Sequence, residues 1–195
     1  GKVFALGTLG RLYALDAATG KPLWESDIGP RFKQMEALKS DALETQRIPA
    51  FNRDCANQVC VADGVVLVND NVKYKVIPPK NRGPGDGWVY HYESENGILA
   101  FDGETGKQLW AARNSLAGTP VRWTHQDKEY VIYGNREKVR CAIPRTGDAA
   151  WEIAAGVAGP SLALGPEHLL CCTGTRPAEQ VTCYRISPKG AEKLW

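Results

Sequence analysis

Six cysteines carry the most versatile chemistry in this sequence. They are Cys55, Cys60, Cys141, Cys171, Cys172 and Cys183. An even number of cysteines permits disulfides in an oxidising compartment, although buried free thiols are also common. The sequence lacks a Cys-x-x-Cys pair and contains only three histidines. Because structural zinc needs four Cys or His ligands at short spacings, we predict no zinc site.

Two pairs of cysteines are close enough in sequence to be considered for bonding. Cys55 and Cys60 predict a small disulfide loop if the protein is exported, and the alternative is one buried and one exposed thiol. Cys171 and Cys172 are adjacent in a predicted strand, where neighbouring side chains point to opposite faces. Their Cα atoms would be about 3.8 Å apart, which is below the usual disulfide range. We therefore predict two separate thiols at this second pair.

Acid–base or metal chemistry requires carboxylates that are not already used by local structure. Asp16, Asp63 and Asp102 each stand at a predicted turn, where hydrogen bonds from nearby backbone N–H groups account for them. The Asp-x-Asp-x-Asp-Gly calcium loop is absent, as are the nucleophile elbow, the phosphate loop and the zincin motif. We predict no catalytic, cofactor-binding or metal-binding residues, and this favours a protein that is not an enzyme.

Two of these aspartates belong to a repeated stretch that organises the chain. Residues 14–24 recur as residues 100–110, then in weaker form as residues 141–151 and 184–195, the last with one extra residue before Trp. The repeated positions are Ala14, Asp16, Thr19, Gly20 and Trp24; Ala100, Asp102, Thr105, Gly106 and Trp110; Thr146, Gly147 and Trp151; and Gly190 and Trp195.

Each copy of the repeat predicts a β-hairpin. An apolar strand ends at Asp, whose side chain can accept hydrogen bonds within the turn. Gly supplies the positive φ that such a loop requires, and a second strand carries the Trp. A single hairpin cannot bury an indole ring, whereas stacked hairpins can. We therefore predict that each Trp packs between neighbouring repeats.

The order Ala, Asp two residues later, Thr-Gly and Trp ten residues after the Ala resembles the repeat of pyrroloquinoline quinone (PQQ) type β-propellers. The resemblance covers most of the chain and implies an all-β fold of four-stranded antiparallel blades. It also implies that the Trp lies on the outer strand of each blade. We expect about three and three-quarter blades, as part of a ring of about eight.

The Trp positions divide the chain into blades. Intervals of 41 residues from Trp110 to Trp151 and 44 from Trp151 to Trp195 each suit one blade. The interval of 86 residues before them has room for two blades, but it contains one good inner hairpin, so we assign one blade with two insertions. The predicted units are residues 1–29 (the outer part of a first blade), 30–113, 114–155 and 156–195.

The two insertions are the places where a function could be added to this scaffold. Residues 30–52 have apolar positions at helical spacing, which predicts a short amphipathic helix. Residues 71–96 are polar and rich in Pro and Gly. The aromatic-rich stretch in this second insertion is the predicted partner surface, formed by Trp88, Tyr90, His91 and Tyr92.

The resemblance implies two different functions. Some propellers of this repeat family are scaffolds, including the lipoprotein subunit of the bacterial outer-membrane protein assembly machinery, and we favour this non-enzymatic role, with a protein partner bound through loops and strand edges. The alternative is a fragment of a PQQ-dependent alcohol or sugar dehydrogenase, with PQQ and Ca²⁺. In those dehydrogenases adjacent cysteines form a disulfide against the quinone, whereas the adjacent pair in this sequence lies in a predicted strand.

Composition narrows the partners and the compartment. A net charge of +2 argues against a strongly basic nucleic-acid binder. We find no apolar run long enough for a transmembrane helix and no signal peptide in these residues. The resemblance implies a periplasmic or other extracytoplasmic location in bacteria. Open blade edges also predict that the chain can associate with itself.

Overall fold

The structure is a computed structural model that describes residues 1–7, 11–28, 59–70, 73–77, 89–93, 97–112, 119–135, 137–155, 157–173 and 180–195. The described residues form β-strands and turns, without a helix. All strand pairs are antiparallel. The predicted all-β architecture of four-stranded antiparallel units is thus confirmed.

Four sheets follow one another along the chain, and within each sheet the strands lie side by side in chain order. The first sheet contains β1 (Lys2–Leu6), β2 (Arg11–Asp16) and β3 (Pro22–Asp27). The second contains β4 (Val59–Ala62), β5 (Val65–Asp70), then β8 (Gly97–Asp102) and β9 (Gln108–Ala112). The third contains β10 (Val121–His125), β11 (Lys128–Gly134), β12 (Val139–Ala142) and β13 (Ala149–Ile153). The fourth contains β14 (Val157–Leu164), β15 (His168–Thr173), β16 (Gln180–Ser187) and β17 (Gly190–Lys193).

Adjacent sheets pack face to face around three apolar cores. Leu12, Val66 and Phe101 belong to the core between the first and second sheets. The core between the second and third sheets includes Leu67 and Val131. A third core joins the third and fourth sheets, with Trp123, Ile132, Cys141, Trp151 and Leu169 among its buried residues.

The second sheet is covered on both faces, and its sequence explains why. Residues 65–68 are four consecutive apolar residues, and all four are fully buried. Alternate residues of a strand point to opposite faces, so an uninterrupted apolar run suits a strand that is buried on both sides. Val66 and Val68 accordingly belong to the core with the first sheet, whereas Val65 and Leu67 belong to the core with the third.

A fifth, two-stranded sheet lies within the second insertion. Strands β6 (Lys73–Ile77) and β7 (Val89–Glu93) pair only with each other among the described residues. The sequence pattern predicts no strand there, because Pro and Gly dominate the middle of the insertion. Its ends, however, are rich in Val, Ile and Tyr, which favour strands. The helix predicted within residues 30–52 lies outside the described residues.

Candidate functional site

The loop of the first repeat is closed by the carboxylate of Asp16. One oxygen of this carboxylate accepts hydrogen bonds from the N–H groups of Ala18 at 3.0 Å and Thr19 at 2.8 Å, and from the Thr19 hydroxyl at 2.8 Å. The Gly20 N–H donates to the Asp16 carbonyl at 2.8 Å. These bonds, led by that of the Thr19 hydroxyl, lower the pKa of Asp16.

The loop of the second repeat reproduces this geometry. Asp102 accepts hydrogen bonds from the N–H groups of Glu104 at 3.1 Å and Thr105 at 2.9 Å, and from the Thr105 hydroxyl at 2.9 Å. The pKa of Asp102 is lowered, chiefly by the backbone N–H of Thr105. Both aspartates are therefore ionised at neutral pH, and each carboxylate accepts hydrogen bonds from its own loop.

The repeat tryptophans connect each sheet to the next loop along the chain. The indole N–H of Trp24 donates to the carbonyl of Gly103 at 3.1 Å. Trp110 donates in the same way to Pro144 at 2.7 Å. Trp151 donates to Ser187 at 2.8 Å. In every case the accepting residue is the third before the repeat glycine, so the same hydrogen bond is made at three junctions.

The repeat glycine has two separate roles in this junction. Gly20, Gly106 and Gly147 have φ angles of 69°, 72° and 75°, a region that side chains disfavour. A Cβ on Gly106 would lie 2.7 Å from the ring of Trp24, and a Cβ on Gly147 would lie 2.8 Å from the ring of Trp110. The indoles of Trp24 and Trp110 therefore lie directly against a glycine backbone, whereas a Cβ on Gly190 at the third junction would have no neighbour within 4 Å among the described residues.

The first and last copies of the repeat differ from the two junctions that have a glycine beneath the ring. Among the described residues, no atom lies within 4 Å of a Cβ built on Gly20. At the other end, Trp195 is 63% exposed. The first three repeat tryptophans pair with the first residue of their motif, whereas Lys193 takes that place in the fourth repeat, opposite Tyr184. Trp195 therefore lies two residues beyond this register.

A charged bridge spans the second and third sheets near the hairpin loops. Arg145 lies 3.7 Å from the carboxylate of Asp63 and 3.5 Å from that of Asp102. Glu129 accepts the backbone N–H of Asp63 at 2.5 Å and lies 3.4 Å from Arg122. The sequence does not mark Arg145 as a bridging residue, because its partners are distant in the chain. Exposed pairs of this kind contribute little to stability.

An open groove of about 510 Å³ lies between the first and second sheets beside these loops. Its lining includes Lys2, Phe4, Asp16, Leu23 and Glu104. The Lys2 ammonium lies 2.5 Å from the Glu104 carboxylate. The groove thus combines an apolar wall with an ion pair.

Four of the five described cysteines are buried: Cys60, Cys141, Cys171 and Cys183. Burial raises the pKa of Cys60 to about 11 and the pKa values of Cys141 and Cys171 to about 12. These thiols are therefore protonated at neutral pH and are poor nucleophiles. Cys171 and Cys172 are separate thiols, one buried and the other partly exposed, as the sequence predicts. Cys55 lies outside the described residues, and its pairing with Cys60 stays a prediction.

Two further core residues carry no signal in the sequence. The indole N–H of Trp123 donates to the carbonyl of Pro166 in the fourth sheet at 2.9 Å. No repeat signal marks this Trp, because it lies on an inner strand and occurs once. The Tyr133 hydroxyl is buried without a hydrogen bond of good geometry among the described residues, and burial raises its pKa against the opposing influence of Arg140.

The predicted partner surface is described in part. Trp88 lies outside the described residues. Tyr90, His91 and Tyr92 belong to β7, where they pair with Val76, Lys75 and Tyr74 of β6.

Two classes of site are absent from the part of the chain that the structure describes. No three His, Cys, Asp or Glu side chains there are grouped so that they could hold a metal ion. No helix within the described ranges has the length and apolar character needed to cross a membrane.

The repeat and its junctions agree with a comparison against protein families. The family model described as outer membrane protein assembly factor BamB matches residues 1–161. This chain belongs to the BamB family. No curated protein matches the chain.

Solved structures place the BamB-family chain among β-propellers of the PQQ-like type, as the sequence predicts. The crystal structure of BamB from Moraxella catarrhalis aligns over 98% of this chain and 48% of its own, with a TM-score of 0.56 and 12% identity. The quinohemoprotein alcohol dehydrogenase ADHIIG from Pseudomonas putida aligns over 100% of this chain and 32% of its own, with a TM-score of 0.55 and 17% identity. The chain therefore spans about half the length of that BamB and a third of that enzyme.

Proposed function

We propose that this chain is part of a non-enzymatic propeller scaffold that binds a protein partner during bacterial outer-membrane protein assembly. The observation that carries the proposal is the match of residues 1–161 to the BamB family. The chemistry of the described residues supports it. The repeat aspartates are used by their own loops, and the thiols of Cys60, Cys141 and Cys171 are buried and protonated.

The proposed partner surface is the two-stranded ribbon formed by β6 and β7. The ribbon is inserted between β5 and β8, and it is separate from the four stacked sheets. Tyr74 pairs with Tyr92 and Val76 pairs with Tyr90, so these four positions share one face of the ribbon. Because an isolated hairpin is only marginally stable in water, a partner that packs against a ribbon of this kind would stabilise it. Tyrosines are also enriched at the energetic centres of protein interfaces.

The location that fits this role is the periplasm. The proposal assigns the chain to the extracytoplasmic side because outer-membrane protein assembly takes place there. Its formal charge of +2 keeps it near neutrality, so recognition depends on shape and aromatic contact more than on electrostatic steering.

The dehydrogenase alternative, with PQQ and Ca²⁺, has less support from the described residues. A polyanionic quinone needs several cations that converge on one place. The described inner strands β4 and β10 carry one Lys or Arg side chain, that of Arg122. Its guanidinium already lies 3.4 Å from the carboxylate of Glu129. These two strands therefore do not supply the group of cations that a bound quinone requires.

The test is a binding measurement with the purified outer-membrane protein assembly machinery of the same organism. The test variant replaces Tyr74, Tyr90 and Tyr92 with Ser, and the matched control replaces the exposed Val61 and Leu109 with Ser. We expect the test variant to bind at least about thirtyfold more weakly and the control to bind normally. Equal binding by both variants would contradict the ribbon as the partner surface.

A second measurement addresses the enzyme alternative directly. The chain is titrated with PQQ and Ca²⁺, followed by a dye-linked alcohol oxidation assay. We expect neither quinone binding nor turnover. Stoichiometric quinone binding with alcohol oxidation would overturn the scaffold proposal.

A further inference from the structure

A row of three polar side chains crosses the third sheet, one from each of three neighbouring strands. Tyr133 pairs with Arg140, and Arg140 pairs with Glu152. This polar row is on the face that packs on the second sheet, because Tyr133 belongs to the core between those two sheets. The corresponding row of the second sheet, which likewise ends one residue after the repeat tryptophan, is apolar and consists of Val68, Leu99 and Ala111. The third sheet therefore departs from the repeat at this row.

Two cations share one carboxylate at the outer end of the polar row. Glu152 accepts hydrogen bonds from the Lys138 ammonium at 3.1 and 3.3 Å, and it also contacts Nε and Nη2 of Arg140. The three charges sum to +1, and the three side chains are between 28% and 43% exposed, so the group is accessible from solvent. A guanidinium has five N–H donors, so the edge that Glu152 does not use can donate to a second acceptor.

The inner end of the polar row has a hydroxyl that the folded chain does not satisfy. Tyr133 is 1% exposed, and its hydroxyl has no hydrogen bond of good geometry among the described residues. Burial raises the pKa of this hydroxyl and the Arg140 guanidinium opposes that change, which indicates that the two groups are neighbours. A buried donor without an acceptor costs stability, and a bound group that supplies the acceptor removes this cost.

The turn between β11 and β12 holds the backbone of Lys138 in place. The side-chain oxygen of Asn135 accepts the N–H groups of Glu137 and Lys138, both at 2.9 Å. The Asn135 N–H in turn donates to the Lys138 carbonyl at 2.9 Å. Because this backbone is already ordered, binding through the Lys138 ammonium orders little more than one side chain.

The polar row lies at the end of the sheets from which the β6–β7 ribbon is inserted. Strand β5 ends at Asp70, which pairs with Gly97 at the start of β8, so the insertion leaves and rejoins the second sheet at this end. The hairpin loops that contain Asp63 and Arg145 lie together at the opposite end of both sheets. Tyr133 is one residue from the end of β11 that is remote from those loops. One partner can therefore contact the ribbon and the polar row together.

We propose that Lys138, Arg140 and Tyr133 bind one carboxylate from an acidic side chain of the protein partner. Lys138 and the unused edge of Arg140 donate to this carboxylate, and Glu152 holds the two cations in place. Side chains at interfaces often change rotamer on binding, so the partly exposed Arg140 turns aside and lets the carboxylate accept the Tyr133 hydroxyl as well. The inference rests on the proposed function and adds to it the chemistry of the partner.

The charge of the group favours a carboxylate over a phosphate. A group of charges that sums to +1 is balanced by one carboxylate. A phosphate group carries nearly two negative charges, and it would leave excess negative charge beside Glu152. Charge-assisted hydrogen bonds from Lys or Arg to a carboxylate are also among the stronger hydrogen bonds in proteins.

The first experiment measures binding of the purified assembly machinery to Arg140→Gln. We expect at least about thirtyfold weaker binding, because one partner of a charged hydrogen-bonded pair is lost. Arg185→Gln is the matched control, since Arg185 also pairs with a Glu on the neighbouring strand, at 3.4 Å from Glu192, and the change of charge is the same. The control should bind normally. Normal binding by Arg140→Gln would overturn the proposal. Lys138→Gln, at an exposed turn, repeats the test if Arg140→Gln does not fold.

The hydroxyl has a test that a structural role would not pass. Tyr133→Phe should bind the machinery about tenfold more weakly, because a hydrogen bond to a charged group is lost. The same variant, without the machinery, should resist urea at least as well as the wild type. A residue with only a structural role would not change the two measurements in opposite directions. Binding at wild-type strength would overturn the assignment of Tyr133 to the site. Tyr13→Phe, at a partly exposed position in the first sheet, is the control.

Chemical crosslinking identifies the group that Lys138 meets. A carbodiimide joins an amine directly to a carboxylate that touches it, and mass spectrometry locates the bond. In the complex we expect Lys138 to be joined to an Asp or Glu of the machinery. A bond from Lys138 to Glu152 alone would overturn the proposal.

Vesicles that contain phosphatidylglycerol test a lipid as the source of the negative charge. The wild type and Arg140→Gln should sediment equally with these vesicles. Vesicle binding that depends on Arg140 would overturn an acidic side chain of a protein as the bound group.

The failure of this site and the failure of the proposed function give different results. Weak binding by the variant with Ser at Tyr74, Tyr90 and Tyr92, together with normal binding by Arg140→Gln, would remove the site and leave the proposed function. An absence of binding by the wild type would remove both.

Discussion

The loops of the second and third repeats perform the same docking with different residues. Each accepts an indole N–H from the preceding sheet, and each has a glycine with positive φ beneath the ring. The second loop has Asp102 at its start, whereas the third has Ile143. In the third loop the Gly147 N–H still donates to the carbonyl of residue 143, at 2.9 Å.

The difference between Asp102 and Ile143 shows that the repeat does two separate things: it docks the preceding sheet, and it closes its own loop. In these two loops, docking depends on a carbonyl group and on the absence of a Cβ, both properties of the backbone. The carboxylate of Asp102 acts within its own loop, on Glu104 and Thr105. A repeat can therefore lose its aspartate and remain a docking loop, which is why a weakened motif still builds a regular sheet.

The largest expected effect is the loss of a docked indole. Trp151 is buried between the third and fourth sheets, so Trp151→Ala should lower the free energy of unfolding by about 3–5 kcal/mol. Trp195→Ala is the control, because Trp195 is largely exposed, and its effect should be within about 0.5 kcal/mol. Urea denaturation at low protein concentration measures both. Similar losses for the two variants would show that the buried indole of Trp151 does not hold the two sheets together.

The next effect concerns the glycine beneath the ring. Gly106→Ala adds a Cβ at 2.7 Å from the Trp24 ring, and it also strains a positive φ. Gly20→Ala has the strain without the ring contact. We expect the first variant to be less stable than the second by about 1–3 kcal/mol, the usual cost of overpacking. Thermal and urea denaturation measure both variants. If Gly106→Ala and Gly20→Ala lose equal stability, the Trp24 ring does not require a glycine beneath it.

A smaller effect is expected from the buried hydroxyl at the junction between the second and third sheets. Tyr133→Phe removes a polar group that is buried without a good hydrogen bond, so it should raise the free energy of unfolding by about 1 kcal/mol. Tyr13→Phe, at a partly exposed position, should change little. A clear loss of stability in Tyr133→Phe would mean that the hydroxyl has a partner in solution.

The smallest effect tests the carboxylate that distinguishes the two loops. The pKa of Asp102 is lower in the folded protein than its ordinary value, so its contribution to stability is complete above about pH 4 and is lost as the pH falls through the folded-state pKa. The difference in the free energy of unfolding between the wild type and Asp102→Asn should therefore shrink as the pH falls from about 5 to about 2, which is roughly the titration range of one carboxylate.

The reverse substitution sharpens the same comparison. Ile143→Asp places a carboxylate in the third loop at an exposed position. We expect it to add a stabilising contribution with the same acid dependence and to leave the Trp110 junction intact. Acid denaturation followed by tryptophan fluorescence measures both changes. An acid-independent effect would show that the third loop cannot use a carboxylate.

The local elements of this protein follow from its amino-acid sequence alone. The turn of each repeat is local, because Asp, Thr and Gly satisfy one another within a few residues, and the pattern of Asp16, Thr19 and Gly20 therefore predicts its own geometry. The alternation and apolar runs likewise predict the strands, and the Trp spacing predicts the blade length. The separation of the two thiols in β15 also follows from strand geometry.

Contacts between distant elements depend on how the sheets stack. The carbonyls of Gly103 and Pro144 accept indole N–H groups because stacking brings one repeat's outer strand to the next repeat's loop, and backbone carbonyls carry no mark in a sequence. Arg145 reaches Asp63 and Asp102 for the same reason, since sheets that lie far apart in the chain are packed face to face. The pairing of β6 with β7 depends on register across a long insertion, which local preferences do not fix.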